Sequence, residues 1–219
     1  MNTYVGQAEG HHGGCIALAK EIHNTAIKEI DRPKKTNYFI VTNIPYVVRQ
    51  KPQCVIMVDE ISRAAGVSQF KGNLVILQDS PFKTPFIYFF NPTNQKAIYI
   101  EIDKDLNGIK SKKIKTDINK FFTNDAEFET LKKDKSFSGN EYRLLMITSI
   151  WSKGLLRSDL VYAVMLHNHY CPGVTSGYHI ASFILKNFPL TEGQGYVFIA
   201  SPMWCKDDAI QVMLDTTPG

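Results

Sequence analysis

The feature that most constrains this 219-residue chain is the placement of its four cysteines. They fall into two matched pairs. His11-x-x-x-Cys15 and His167-x-x-x-Cys171 each lead into an apolar stretch of helical period, and each stretch carries a histidine eight residues past the cysteine, His23 and His179. A second cysteine follows in each copy, Cys54 and Cys205. Each runs into an acidic-led helical pattern, Asp59-Glu60-Ile61 in one copy and Asp207-Asp208-Ala209-Ile210 in the other. The Cys-to-Cys separations are 39 and 34 residues. A repeat has to be sought before a fold is named, because it turns one chain into two related units. The copies differ in places: Gly13 stands where the second copy has His169. The first copy runs on through KGNLVIL into further strands, and the second has no such strands after its last helix. The second unit is therefore expected to be incomplete, to be completed by strands from elsewhere or to belong to a longer protein.

A histidine four residues before a cysteine, with another cysteine some tens of residues on, gathers imidazole and thiolate ligands. These suit zinc and related divalent metals. The expected ligand sets are His11, Cys15 and Cys54 for the first copy and His167, Cys171 and Cys205 for the second, with His169 as a further ligand or a neighbour of one. Three protein ligands leave a fourth position open, as in catalytic zinc sites, whereas a fourth ligand from the other copy or another chain would make the site structural. Cys171 stands just before a helical pattern, and a helix N-terminus favours the thiolate. Pro172 fits a first helical turn, where its missing N–H is harmless. Asp59 and Asp208 are placed to orient a ligating imidazole or to cap a helix. Lone cysteines more often pack as small apolar groups, a reading that weighs most on Cys54 at the head of VIMV. His23 and His179 read as packing or surface residues, His12 as exposed, and Gly173 and Gly177 as points of close backbone approach.

The remaining elements follow from periodicity. CIALAKEIHNTAIKEI (15–30) sets Ile16, Ala19, Ile22, Ala26 and Ile30 on one helical stripe, ended at Pro33. YFIVTNIPYVV (38–48) reads as one strand or two broken at Pro45, and CVIMVDEISRAAG (54–66) as β-like and then helical, with Gly66 as its C-cap. NLVIL (73–77), FIYFF (86–90) and AIYIEI (97–102) read as an antiparallel meander. Residues 103–140 read as a polar helical connector, 141–166 as one or two buried helices broken near Lys153-Gly154, 177–187 as a helix, YVFIA (196–200) as a strand and 207–214 as a final helix.

Composition removes whole classes. Hydrophobic residues make up 44% and charged residues 21%, with 13 Phe and 10 Tyr, so the chain is not disordered. No apolar run reaches the length of a membrane span. The net charge of +4 comes with a lysine cluster at Lys110, Lys112, Lys113 and Lys115, but residues 101–140 hold nine Lys against eight acidic residues, too balanced to track a phosphate backbone. Neither a nucleic-acid nor a membrane partner is expected.

HNHYCPGVTSG (167–177) resembles the HGHxCPGxxxG signature of the FmdE family, whose members are associated with formylmethanofuran dehydrogenase. Cys205 followed by DDAIQVML and TTPG is similar to that family's second signature. GHHGGC, CVIMVDEIS and GVSQFKGNL resemble weaker versions of the two in the first copy. The resemblance spans roughly residues 9–102 and 160–219 and is of the tandem-copy, metal-binding kind. It departs from the family at Val67 and Thr216, where the turn cysteine is expected, and at Ile16, where Pro172 has its counterpart. No Cys-x-x-Cys zinc finger is present. The resemblance implies an α+β fold, here an antiparallel sheet with packed helices in two related units. Residues 1–105 form the first unit, 106–150 a connector and 151–219 a truncated second unit. It also implies a transition metal, typically zinc. Three functions stay open: an enzyme or accessory protein of anaerobic one-carbon metabolism, as in archaeal methanogenesis; a non-catalytic metal or metallocofactor carrier; or a thiol enzyme with Cys171 as nucleophile and His167 or His169 as base. A homodimer, or a second chain completing the second unit, is the expected partner. Reduced thiols and the lack of a leader pattern point to the cytoplasm, unless an N-terminal segment has been removed.

Overall fold

The computed structural model of the chain describes residues 8–34, 37–48 and 52–217. Its centre is a strand with no polar face. β1 (Phe39–Thr42) is buried at every position, and its alternate side chains enter two different cores. Phe39 and Val41 point to one face of the sheet, Tyr38 and Ile40 to the other. The five-stranded sheet built on it runs in the order β2-β1-β3-β4-β5, with β2 (Leu74–Ile76), β3 (Phe86–Asn91), β4 (Lys96–Ile102) and β5 (Ile109–Lys115).

β3, β4 and β5 join β1 as an antiparallel meander. β2 is not part of it, contrary to the expectation from sequence, and pairs parallel to β1, Ile40 opposite Leu74. The reason lies between them. The residues after Thr42 form α2 (Ile44–Val47), with Pro45 at its start, a 3₁₀ turn (Pro52–Val55) and α3 (Ile56–Ala65). A helical crossover of this kind returns the chain parallel to the strand it left. Pro45 therefore opens a helical turn where the sequence reads as a continuing strand or a second one, and the β-like start read at Cys54 is the 3₁₀ turn. Gly66 caps α3 with φ 68°, as expected.

One face of the sheet is covered by α1 (Ala8–Ile30) and α3. Ala19, Ile22, Ala26 and Ile30 of α1 are buried against Met57 and Ile61 of α3 and Ile40, Phe89 and Ile98 of the sheet. The opposite face is covered by helices from the second half of the chain. α4 (Lys120–Thr123), α5 (Asp125–Lys133), α6 (Glu141–Ser152) and α7 (Ser158–His167) contribute Phe121, Leu131, Leu144, Ile147, Val161 and Val164 to one continuous core with Phe39, Tyr88 and Tyr99. Phe39 stacks on Trp151 at 4.8 Å between ring centroids. Gly154, with φ 67°, makes the break between α6 and α7 where it was expected.

The stretch read as a helical connector holds β5. Its lysines, Lys110, Lys112, Lys113 and Lys115, fall on both faces of an edge strand, and charged edges block further strand pairing. Lys112 pairs with Glu29, and Lys113 donates to the Lys135 carbonyl and Ser138, so these cations serve the fold's surface. The same core continues into the last helix pair, α8 (Pro172–Asn187) and α9 (Cys205–Leu214), through Val174 and Ala209. A small outlying core, Ala181, Ile210 and Leu214, lies between these two helices, and Tyr196 and Phe198 rest on it. Residues 196–200, read as a strand, add none to the five-stranded sheet, and only Phe198 makes an isolated bridge. Among the described residues no helix is long and apolar enough to cross a membrane.

Candidate metal centre

Three helix ends meet at one point. His167 is the last residue of α7, Cys171 is the N-cap of α8 and Cys205 opens α9. A ring nitrogen of His167 and the sulfurs of Cys171 and Cys205 all lie within 4.8 Å of one another. Sequence reasoning named these three as the second ligand set, and the fold brings them together.

Two glycines make this approach possible. A Cβ on Gly173 would lie 2.5 Å from Cys205 Cβ and 3.6 Å from Cys171 Sγ, and one on Gly177 would lie 2.0 Å from the Lys206 carbonyl oxygen. Their i, i+4 spacing lays both on one side of α8, so α9 presses its N-terminus directly onto that backbone. Asp207 closes the α9 terminus by accepting the Trp204 N–H at 2.6 Å. Both thiols thus sit at helix N-termini, where the peptide dipoles favour a thiolate. For Cys205 burial works the other way and, with Cys171 beside it, pushes the thiol above its ordinary pKa. A cation between the two sulfurs would reverse that balance.

His167 is oriented from behind. Its Nδ1 lies 2.6 Å from Asp208 Oδ2, while its Nε2 lies 3.5 Å from Cys171 Sγ. With a carboxylate on Nδ1, that nitrogen carries the proton and the Nε2 lone pair is turned toward the thiols. The donor set of one imidazole and two sulfurs, the glycine hollow beside them and the carboxylate behind the imidazole all fit a zinc-like ion. His167, Cys171 and Cys205 are the residues that would hold it. His169 lies beside His167, the rings tilted at 41° with centroids 4.2 Å apart, next to Tyr142. It lies outside the group of converging donors, so it is placed as a neighbour of the site. Burial first, then the neighbouring His167, holds its pKa below the ordinary histidine value.

The loop between His167 and Cys171 is held by a residue that sequence reading missed. Asn168 takes a left-handed conformation, φ 69°, at the C-cap of α7. Arg143 of α6 donates to its carbonyl at 3.2 Å and to its Oδ1 at 2.6 Å, and also to Asp79 Oδ2 at 3.2 Å and Asn140 Oδ1 at 2.9 Å. Asn43 donates to the same Asp79 oxygen at 3.0 Å. The metal loop is therefore tied to the end of β1. An Asn between two histidines after a helical run was the one available signal, since Asn tolerates the left-handed cap.

The first ligand set is arranged differently. Cys15 of α1 and Cys54 of the 3₁₀ turn are brought together as a disulfide, with Cα atoms 5.4 Å apart. In that state neither sulfur is a thiolate able to hold a metal. His11 falls in α1, but its side chain and that of His12 lie outside the described residues. Asp59, read as the counterpart of Asp208, is exposed in the first turn of α3. The expectation of reduced thiols, on which a cytoplasmic location rested, holds only for Cys171 and Cys205. His23 is buried and His179 exposed, in keeping with their reading as packing and surface residues.

Comparison with known proteins agrees with the C-terminal motif. The family model described as FmdE, Molybdenum formylmethanofuran dehydrogenase operon, matches residues 166–219. The matched segment runs from the end of α7 through α9 and contains all three converging donors. No curated protein and no solved structure matches the chain.

Proposed function

We propose that this protein is an FmdE-like metal-binding protein. His167, Cys171 and Cys205 hold a divalent transition metal, zinc in the first place, and the protein acts as an enzyme or accessory protein in anaerobic one-carbon metabolism. The observation that carries the metal assignment is the convergence of one imidazole and two sulfurs within 4.8 Å, inside the segment that matches the family. With three protein ligands one coordination position would be left for water or substrate, and an ion held by His167, Cys171 and Cys205 would supply Lewis acidity. A carrier that holds the metal without turnover uses the same three residues and differs only in chemistry. The one-carbon assignment rests on the family's description. The reduced form of the Cys15–Cys54 pair is the proposed remnant of the first ligand set.

A second reading has its own observation. Cys171, His167 and Asp208 stand in the order thiol, imidazole, carboxylate, at 3.5 Å and 2.6 Å, as in a thiol enzyme. Cys205 argues against it, because a second thiol beside the nucleophile adds a metal ligand and no catalytic role. Elemental analysis of protein purified without a His tag under reducing, anaerobic conditions separates the two. One metal per chain, lost in Cys171→Ser and in Cys205→Ser, is the expected result. Metal-free protein with a Cys171 thiol that alkylates rapidly at neutral pH, unaffected by Cys205→Ser, would establish the thiol enzyme instead.

A further inference from the structure

Away from the metal centre, a pocket of about 210 Å³ opens where the C-terminal ends of α1 and α3 lie side by side, lined by His23, Arg32, Asn37, Tyr38 and Arg63 among others. We propose that this pocket is a binding site for a small oxyanion, the phosphate or carboxylate group of a ligand, held by Arg32 and His23 with Arg63 at its rim.

His23 is the residue that needs an explanation. It is only 7% exposed, and among the described residues no hydrogen bond reaches its ring; its neighbour is the edge of Tyr38. The side chain is buried as a whole, but its ring nitrogens are not sealed from solvent, because the ring lines an open pocket. Burial, and then Arg32, keep it below the ordinary histidine pKa. The neutral imidazole has one N–H to donate. Arg32 is the second unmatched group: among the described residues no carboxylate pairs with it, while it is close enough to act on both His23 and Tyr38. Arg63 is 75% exposed and pairs with Glu60 of α3.

Helix C-termini ordinarily repel anions through their free carbonyls. Here three carbonyls at these ends are already occupied. The Gly66 oxygen accepts Asn37 Nδ2 at 2.7 Å and Lys71 Nζ at 3.3 Å. The Ile30 oxygen accepts Asn91 and Asn94, and the Asp31 oxygen accepts Tyr38 Oη and Asn91. The Asp31 carboxylate is held by Asn94 and Lys96. Among the described residues, what is left to meet an anion in the pocket is the Arg32 guanidinium, the His23 imidazole and the Arg63 guanidinium, which is already paired with Glu60.

The test is calorimetric titration of the full chain with inorganic phosphate at neutral pH and constant ionic strength. Saturable one-site binding is expected, weakened about tenfold or more in Arg32→Gln, since a charge-assisted hydrogen bond is removed, and unchanged in Cys171→Ser. Arg32 is exposed, so its substitution leaves the fold in place even if His23→Gln does not. Displacement of phosphate by acetate would extend the ligand class to carboxylates, and no displacement would restrict it to phosphates; both uphold the site. Non-saturable heats, equal affinity in Arg32→Gln, or binding lost in Cys171→Ser would overturn it, the last by placing the anion at the metal centre.

Discussion

At the scale of single residues, the centre depends on one carboxylate that touches no sulfur. Asp208 sets the tautomer and angle of His167, and an amide in its place can accept the Nδ1 proton but no longer raises the basicity of Nε2. Asp208→Asn is expected to keep the fold and lower metal affinity roughly 10- to 100-fold, read by competition with a chromophoric chelator. An unchanged affinity would show that Asp208 does not tune the imidazole as a ligand. The three converging donors were legible in the sequence because a helix end, a four-residue loop and a helix start fix the distance from His167 to Cys171. The state of Cys15 and Cys54 was not. A metal and a disulfide both require two sulfurs close in space, so spacing alone brings the pair together without saying what joins it.

At the scale of elements, the contact of α8 with α9 decides whether the donors meet. It is set by backbone against backbone, with Gly177 under the Lys206 carbonyl. Gly177→Ala would force the helices apart, at about 1–3 kcal/mol for an overpacked contact, with metal affinity falling in parallel. Gly195→Ala, where a Cβ meets nothing within 4 Å, should stay within about 0.5 kcal/mol of the parent. Denaturant unfolding of the two variants checks both. The helices themselves were readable, since a 3.6-residue apolar period survives wherever one face is buried. β5 was not, because its lysines gave the segment the polarity of a connector, and an edge strand needs only one partner to form. The parallel pairing of β2 was hidden by Pro45 and Cys54, which read as strand breaks and strand starts although both belong to the helical crossover.

At the scale of the molecule, two features bear on how the second half relates to the first. Arg143 and Asp79 join the metal loop to the sheet across 64 residues of sequence, with side chains only 18% and 9% exposed. Arg143→Met would leave the Asp79 carboxylate without its cation at about 3 kcal/mol. It would also release Asn168, so thermal stability and metal affinity should fall together; Asp79→Asn added to Arg143→Met should restore stability and leave the affinity low. The second feature is an extended segment, residues 196–200, that adds no strand to the five-stranded sheet. Tyr38 to Thr42 and Tyr196 to Ala200 follow their helices at similar distances, and in both the tyrosine and the residue two further on pack inward. The alternate residues part ways: Phe39 and Val41 are fully buried, whereas Val197 is 89% and Ile199 77% exposed, with Met203 and Trp204 exposed beside them. Glu192 is the one charged residue between Asn187 and Cys205, so two copies of this surface meet without like-charge repulsion, and an apolar patch of this kind favours association. The chain is therefore expected to gain mass with concentration in light scattering, and Val197→Lys with Ile199→Lys to hold it monomeric without loss of metal. A parent that stays monomeric at all concentrations would mean that these side chains stand in water with no copy of the chain to cover them.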